Sequence, residues 1–295
     1  MCNDFSGLYT ALITPFNKDK SVDYLTLRKL IDYQIRCKVN GLVILSTTGE
    51  GFSISDHETV EIITFIVKLT INKIKVIVGV GGNCTKDAIQ KSKQAETLGA
   101  DGILCIIPYY SQPTQNGIYE HFFQVAQSVN IPIILYNIKS RTHSNIEIST
   151  LLKLSKHKNI VGIKEASNDI IQIMNLIANA NKDFTILSGN DLMTYLLMCA
   201  GGHGVVSVIS NIFPKEVKTI LLQCQSNNFH VAVKIHYKLQ NLMTILMSLA
   251  SNPIPIKTLL GSIKMIKEEF RLPLYNLDYN QKNKLTKVYK KYING

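Results

Sequence analysis

Eight short runs of almost unbroken apolar, β-favouring residues recur along the chain: Leu8–Thr14, Gly41–Ser46, Val76–Val80, Gly102–Ile107, Ile131–Tyr136, Ile160–Lys164, Phe184–Ser188 and Gly204–Val208. A strand with one wet face alternates apolar and polar residues, whereas a strand covered on both faces does not. These runs therefore predict parallel strands buried on both sides. Between them lie stretches with helical spacing, marked by Leu25, Leu27, Leu30, Ile31 and Ile35 in the first and by Val60, Ile63, Val67 and Leu69 in the second. Ser55-x-x-Glu58 predicts a capping box opening the second helix, and Thr85 with Asp87 a cap for the third. Eight strand–helix units within residues 1–225 predict an α/β fold, a (β/α)8 TIM barrel. A doubly wound open sheet fits less well, because such sheets usually carry fewer strands.

After Pro214 the strand signal stops. Helical segments are expected at 229–249, 256–269 and 279–293, with 250–256 a rigid loop between the first two. The chain thus divides into a barrel catalytic domain, 1–225, and a C-terminal helical appendage, 226–295. Hydrophobic residues make up 46% and charged residues 18%, which supplies a core and is too little charge for a disordered chain.

Charge and cysteine usage narrow the function. Lys+Arg 32 against Asp+Glu 21 gives +11, but the positives are dispersed. The densest group, Lys282, Lys284, Lys287, Lys290 and Lys291, has helical spacing and reads as a solvated face. No basic run is interleaved with aromatics, so no nucleic-acid partner is expected. The six cysteines form no C-x-x-C and no zinc spacing, which predicts reduced thiols, no metal and a cytoplasmic protein. Met1–Phe5 has neither the basic nor the apolar part of a leader, and no apolar run reaches the ~18 residues of a membrane span.

Two motifs fail on inspection. Gly79-Val-Gly81-Gly82-Asn83-Cys84 lacks the third glycine of a dinucleotide loop and reads as a tight barrel loop. His57-Glu58-Thr59-Val60-Glu61 puts Glu61 where a zinc helix needs its second histidine.

In a (β/α)8 barrel the chemistry sits at the C-terminal strand ends. Lys164 ends the sixth apolar run, so its amine is expected inside the barrel mouth. Poor solvation there favours the neutral, nucleophilic amine, which condenses with a ketone to a Schiff base. The plainer alternative is a lysine that reaches solvent or pairs with Glu165. Tyr136 ends the neighbouring run and can donate and accept a proton, with Thr47 a candidate hydroxyl neighbour. Thr47-Thr48-Gly49 offers hydroxyls and N–H groups for a carboxylate, and Arg141 offers a fork for a second one.

Thr47-Thr48-Gly49-Glu50, Pro108-Tyr109-Tyr110, Tyr136-Asn137-x-x-Ser140-Arg141-Thr142, Gly162-Ile-Lys164-Glu165-Ala166, Leu187-Ser188-Gly189, Gly201-Gly-His-Gly-Val205 and Asn252-Pro-Ile-Pro-x-Lys257 occur in this order. With them the chain resembles the dihydrodipicolinate synthase family over essentially its whole length, within the pyruvate-dependent class I aldolases. The resemblance implies an enzyme that condenses pyruvate, held as an imine on Lys164, with L-aspartate 4-semialdehyde to give 4-hydroxy-tetrahydrodipicolinate for diaminopimelate and lysine. No cofactor beyond that covalent imine is implied. By resemblance Tyr136 is the proton donor and acceptor. Thr47 and Tyr110 complete its relay, with Tyr110 reaching in from a neighbouring subunit of a homotetramer. Thr48 and Val206 would bind pyruvate, Arg141 the semialdehyde carboxylate, and Gly189 would belong to the substrate-binding set.

Two departures stand out. Lys139 replaces the proline usual before Ser-Arg-Thr, which predicts a less rigid loop around Arg141. Asp56 and Thr59 stand where lysine-inhibited relatives carry two histidines, and Phe52 replaces a small residue, so weak or absent lysine inhibition is expected. Asn83, Asp87 and Tyr109 still resemble parts of that inhibitor site. The competing readings are another pyruvate aldolase, an N-acetylneuraminate or 2-keto-3-deoxy-sugar lyase, and a catalytically inactive barrel scaffold.

Overall fold

The computed structural model of the chain describes residues 4–294. Met1, Cys2, Asn3 and Gly295 lie outside it, and so do the expectations that rest on the extreme N-terminus and on Cys2. Eight strands close into a barrel in chain order: Gly7–Ala11 (β1), Gly41–Ile44 (β2), Lys75–Gly81 (β3), Gly102–Ile106 (β4), Ile133–Asn137 (β5), Ile160–Glu165 (β6), Thr185–Ser188 (β7) and Gly204–Ser207 (β8). Every pairing is parallel, and β8 returns to β1 through Leu8↔Val205 and Tyr9↔Val206. The helices between and after them are Tyr24–Arg36 (α1), Asp56–Thr70 (α2), Thr85–Thr97 (α3), Gln115–Ser128 (α4), Lys139–Thr142 (α5), Ile148–Leu154 (α6), Ile170–Asn179 (α7), Thr194–Cys199 (α8), Pro214–Gln225 (α9), Phe229–Ser248 (α10), Ile254–Ser262 (α11) and Tyr279–Asn294 (α12).

Two apolar layers explain why the strands lack alternation. One set of side chains fills the barrel, among them Tyr9, Val43, Ile77, Leu104, Ile134, Tyr136, Leu187 and Val206. The intervening residues face the helices and join a larger shell with Leu30, Ile63, Val125, Leu154 and Leu221. Both faces are therefore dry. Ser55 caps α2 in a reciprocal box with Glu58, as expected. The third helix departs from expectation: its cap position is Cys84, with no side-chain cap bond, and the Thr85 hydroxyl instead pairs with His121 Nδ1 at 2.9 Å.

The strand ends differ from the apolar runs for local reasons. The second run was expected to continue to Ser46, but Leu45 has φ +54 and turns the chain out of the sheet after Ile44. The fifth run starts two residues late because Pro132 has no N–H to give a neighbour. At the C-terminal side, α11 begins at Ile254 with Pro255 in its first turn, inside the expected loop. It ends at Ser262 rather than at 269. Lys264 is left-handed, φ +60, and the chain doubles back so that Glu268 Cβ lies 2.8 Å from where a side chain on Gly261 would begin. On α12, Lys284, Lys287, Lys290 and Lys291 are exposed, while Lys282 pairs with Glu268.

The segment after the barrel folds back over the strand ends. Its anchor is a fully enclosed ion pair, Lys257 Nζ to Glu50 Oε1 at 2.5 Å, with Nζ also donating to the Thr14 carbonyl at 3.0 Å. The same ammonium stands over the rings of Phe16 and Phe270. Burial pulls the Lys257 amine down to about 8, and the Glu50 carboxylate opposes that fall. Arg271 extends the tie: its guanidinium grips the Glu58 carboxylate, and holds it down to about 2. Its backbone N–H reaches Glu50 Oε2 at 3.3 Å. Lys257→Met leaves the Glu50 carboxylate enclosed without a counter-charge, and is expected to cost about 3–5 kcal/mol. Chemical denaturation measures it, and a loss below about 1 kcal/mol, no larger than that of a surface pair, would contradict the assignment.

Candidate active site

Successive strand residues point to opposite faces, and on β6 this separates Lys164 from Glu165. Glu165 turns outward, where its carboxylate accepts from Asn137 Nδ2, Ser167 N and Gln172 Nε2 at 2.6–3.3 Å. Lys164 turns inward to the mouth. None of the ion pairs among the described residues includes it, so pairing with Glu165 is not its role. Burial pulls its amine down to about 7, the nearby Arg141 charge adds to the fall, and Asp191 opposes it. A large share of the amine is therefore neutral near neutral pH, which a nucleophile requires.

Tyr136 is the register partner of Lys164 on β5, and Lys164 Nζ lies 4.0 Å from the centre of its ring. Burial pushes the phenol up to about 12, so it holds its proton over the working range. A cavity of about 350 Å³ opens above this pair. Thr47, Thr48, Tyr136, Arg141, Lys164 and Gly189 all line it, so six of the eight residues expected from sequence are brought together. Gly189 is there for room. A Cβ at that position would lie 2.6 Å from the Ala166 methyl and 3.1 Å from Lys164 Cε, so a side chain there collides with Ala166 and crowds the lysine.

The other two residues stand elsewhere. Val206 is buried one layer below, in the barrel interior, and Val208 and Ile209 take the wall of the cavity on that side. Tyr110 is 88% exposed with φ +69 and does not line the cavity.

The C-terminal segment closes the site. Met243, Leu246 and Met247 of α10 and Ile256 of α11 form its apolar wall. Asn252, between those helices, donates from Nδ2 to Thr48 Oγ1 at 2.8 Å, and its carbonyl accepts from Arg141 Nη2 at 3.1 Å. One residue thus fixes both carboxylate-binding candidates. Arg141 sits in the single turn of α5, which Lys139 opens and which His143, φ +55, ends. From sequence, Asn252, Lys257 and Glu50 stand out only as members of matching motifs. A lysine inside an apolar helix and a glutamate in a dry loop are nevertheless a signal, because such charges must find each other.

A second cavity of about 360 Å³ shares Thr47, Tyr136 and Arg141 with the first and extends to Phe52, Asp56, Thr59 and Tyr109. Among the described residues no cluster of three or more His, Cys, Asp or Glu side chains could hold a metal ion, and no helix is long and apolar enough to cross a membrane.

Comparison with known proteins gives this geometry a lineage. The model of the dihydrodipicolinate synthetase family matches residues 4–292. The 4-hydroxy-tetrahydrodipicolinate synthase of Endomicrobium trichonymphae is 44% identical over 287 residues, which cover 97% of this chain and 98% of that relative. The crystal structure of dihydrodipicolinate synthase from Aquifex aeolicus superimposes with a TM-score of 0.95 at 41% identity, covering 98% of both chains. A structure described as the first monomeric dihydrodipicolinate synthase variant matches with a TM-score of 0.95 at 38% identity, over 98% of this chain and 97% of that one. With a family match across nearly the whole barrel and its C-terminal helices, the chain belongs to the dihydrodipicolinate synthetase family.

Proposed function

We propose that the chain condenses pyruvate with L-aspartate 4-semialdehyde to give 4-hydroxy-tetrahydrodipicolinate, a step toward diaminopimelate and lysine. One observation carries the reading: a partly neutral lysine amine stands over the ring of a protonated tyrosine, 4.0 Å from its centre, at the barrel mouth, with Arg141 in the same cavity. The Lys164 amine attacks the keto carbon of pyruvate, and the carbonyl oxygen leaves as water after taking a proton from Tyr136. Loss of a methyl proton turns the imine into an enamine, whose carbon attacks the aldehyde. Thr48, held by Asn252, with Gly189 lining the same cavity, receives the pyruvate carboxylate. Arg141 receives the carboxylate of the semialdehyde. That second cation favours a dicarboxylic product over the polyol of a sugar lyase. No cofactor other than the covalent imine enters this scheme.

Tyr110 serves this scheme only across a subunit boundary, as partner to Tyr136 and Thr47 in a second copy. Its exposure supports that role. Ile171, Met174, Leu196 and Tyr237 are exposed on α7, α8 and α10, three neighbouring helices, and supply a further apolar face for a homotetramer. The five described cysteines are free, in keeping with a cytoplasmic enzyme.

The test is steady-state product formation from the two substrates by the purified protein. Turnover is expected, with kcat/KM for pyruvate falling on the acid side of about pH 7 as the Lys164 amine becomes protonated. Absence of product with active substrates contradicts the reading. Asp56 and Thr59 offer no imidazole to an inhibitor in the second cavity, and Phe52 occupies part of its wall. Lysine is expected to inhibit weakly or not at all. Half-maximal inhibition at sub-millimolar lysine would sink that expectation.

A further inference from the structure

Asp191 is an acid at the mouth that the scheme above does not use. It opens the short helix Asp191–Met193 after β7 and lines the cavity that Lys164 lines. One oxygen, Oδ2, accepts from the backbone N–H groups of Val208 and Ile209, each at 2.9 Å. The other, Oδ1, is shielded from solvent and receives no hydrogen bond of ordinary geometry among the described residues, with the Ser207 side chain the neighbouring group that favours its charge. A buried carboxylate oxygen without a donor is the exception in a folded protein and asks for an explanation.

We propose that Asp191 is the counter-charge for the protonated imine that forms on Lys164, a positioning residue that acts through the charge on that nitrogen. The inference rests on the reading that Lys164 takes a 2-oxo acid as an imine. That step produces the charge such a group would face. A neutral amine adds to the keto carbon, the oxygen departs as water with two protons, and the nitrogen is left bonded to carbon with one proton and a positive charge. The charge disappears when a methyl proton leaves, the C–H electron pair forms the C=C bond of the enamine, and the C=N π pair moves to nitrogen. Between those events a cation stands in an enclosed cavity, where it is poorly tolerated without an anion.

The charged and titratable groups facing this nitrogen come from three elements. Tyr136 on β5 is a neutral phenol, Arg141 on α5 is a cation that opposes the imine charge, and Asp191 after β7 is the anion. Glu165 is turned outward and engaged with Asn137, Ser167 and Gln172. Enclosure raises the carboxyl of Asp191 above its usual range, while the two amides, Ser207 and a cation on Lys164 favour its ionised form.

Asp191→Asn tests this directly. The amide keeps an oxygen for the two backbone N–H groups and removes only the charge. An opposite charge at short range shifts a titration by about 1–3 units, so its loss is expected to move both limbs of the pH profile to lower pH by about a unit. The acid limb moves because the Lys164 amine loses its proton more easily. The alkaline limb moves because the imine does too, and kcat at the parent's optimum falls about 10-fold or more. Asp191→Glu keeps the charge and is expected to keep the parent's limbs, whatever its kcat. A fall in kcat with unmoved limbs in Asp191→Asn means a structural role and overturns the proposal, as does parental behaviour. Borohydride trapping of pyruvate on the unaltered protein runs beside both variants. If the parent itself traps no pyruvate, the underlying imine reading fails, and the proposal with it.

Discussion

Lys164→Ala is expected to abolish turnover, with kcat falling by about 10⁴-fold or more, because a covalent nucleophile has no substitute within the cavity. Loss of fold is not the cause. Lys164 joins no ion pair among the described residues, and a buried amine pulled down to about 7 is a cost to the folded state rather than a support. The variant is therefore expected to unfold cooperatively, near the parent's midpoint. Lys164→Arg sharpens the test, since guanidinium keeps the charge and is not a nucleophile at any working pH. A variant of either kind that retains a tenth of parental turnover would remove Lys164 from the chemistry.

Tyr136→Phe is expected to lower kcat by about 10²-fold or more, the usual cost of losing a proton-transfer group. The ring stays, so the apolar packing at 4.0 Å from Lys164 Nζ is preserved and only the hydroxyl is lost. The two effects separate by step. Without the phenol the amine can still attack the keto carbon, but expulsion of water and removal of the methyl proton are both slowed. Steady-state kcat with pyruvate KM measured alongside tells these apart, and a variant with full kcat would end the proposed role. The acid limb near pH 7 is expected to persist in Tyr136→Phe, because it belongs to Lys164.

The barrel was legible because burial on both faces erases alternation, and eight such runs leave few other folds. Where the runs misled, backbone geometry intervened. Leu45 in a left-handed conformation ended β2 early, and Pro132 delayed β5, although both are apolar residues in an apolar run. Ile263, Met265 and Ile266 imitate a helical period beyond Ser262, yet they pack from a loop that doubles back over Gly261. Lys164 and Tyr136 were readable for a related reason: at the C-terminal end of an apolar barrel strand, an amine and a phenol sit where a barrel mouth places its chemistry. Asn252 and the Lys257–Glu50 pair were not, because their meaning lies in partners more than 200 positions away, Thr48 at 204 and Glu50 at 207. Asp191 shows the same limit, since only the fold reveals that one oxygen is engaged and the other is not.

Reduction with borohydride in the presence of pyruvate, followed by peptide mapping, tests the central claim most directly. The expected result is a single reduced pyruvate adduct on the peptide that carries Lys164, formed only when pyruvate is present and lost in Lys164→Ala. A protein that makes product yet forms no adduct, or carries it on another lysine, would contradict the account.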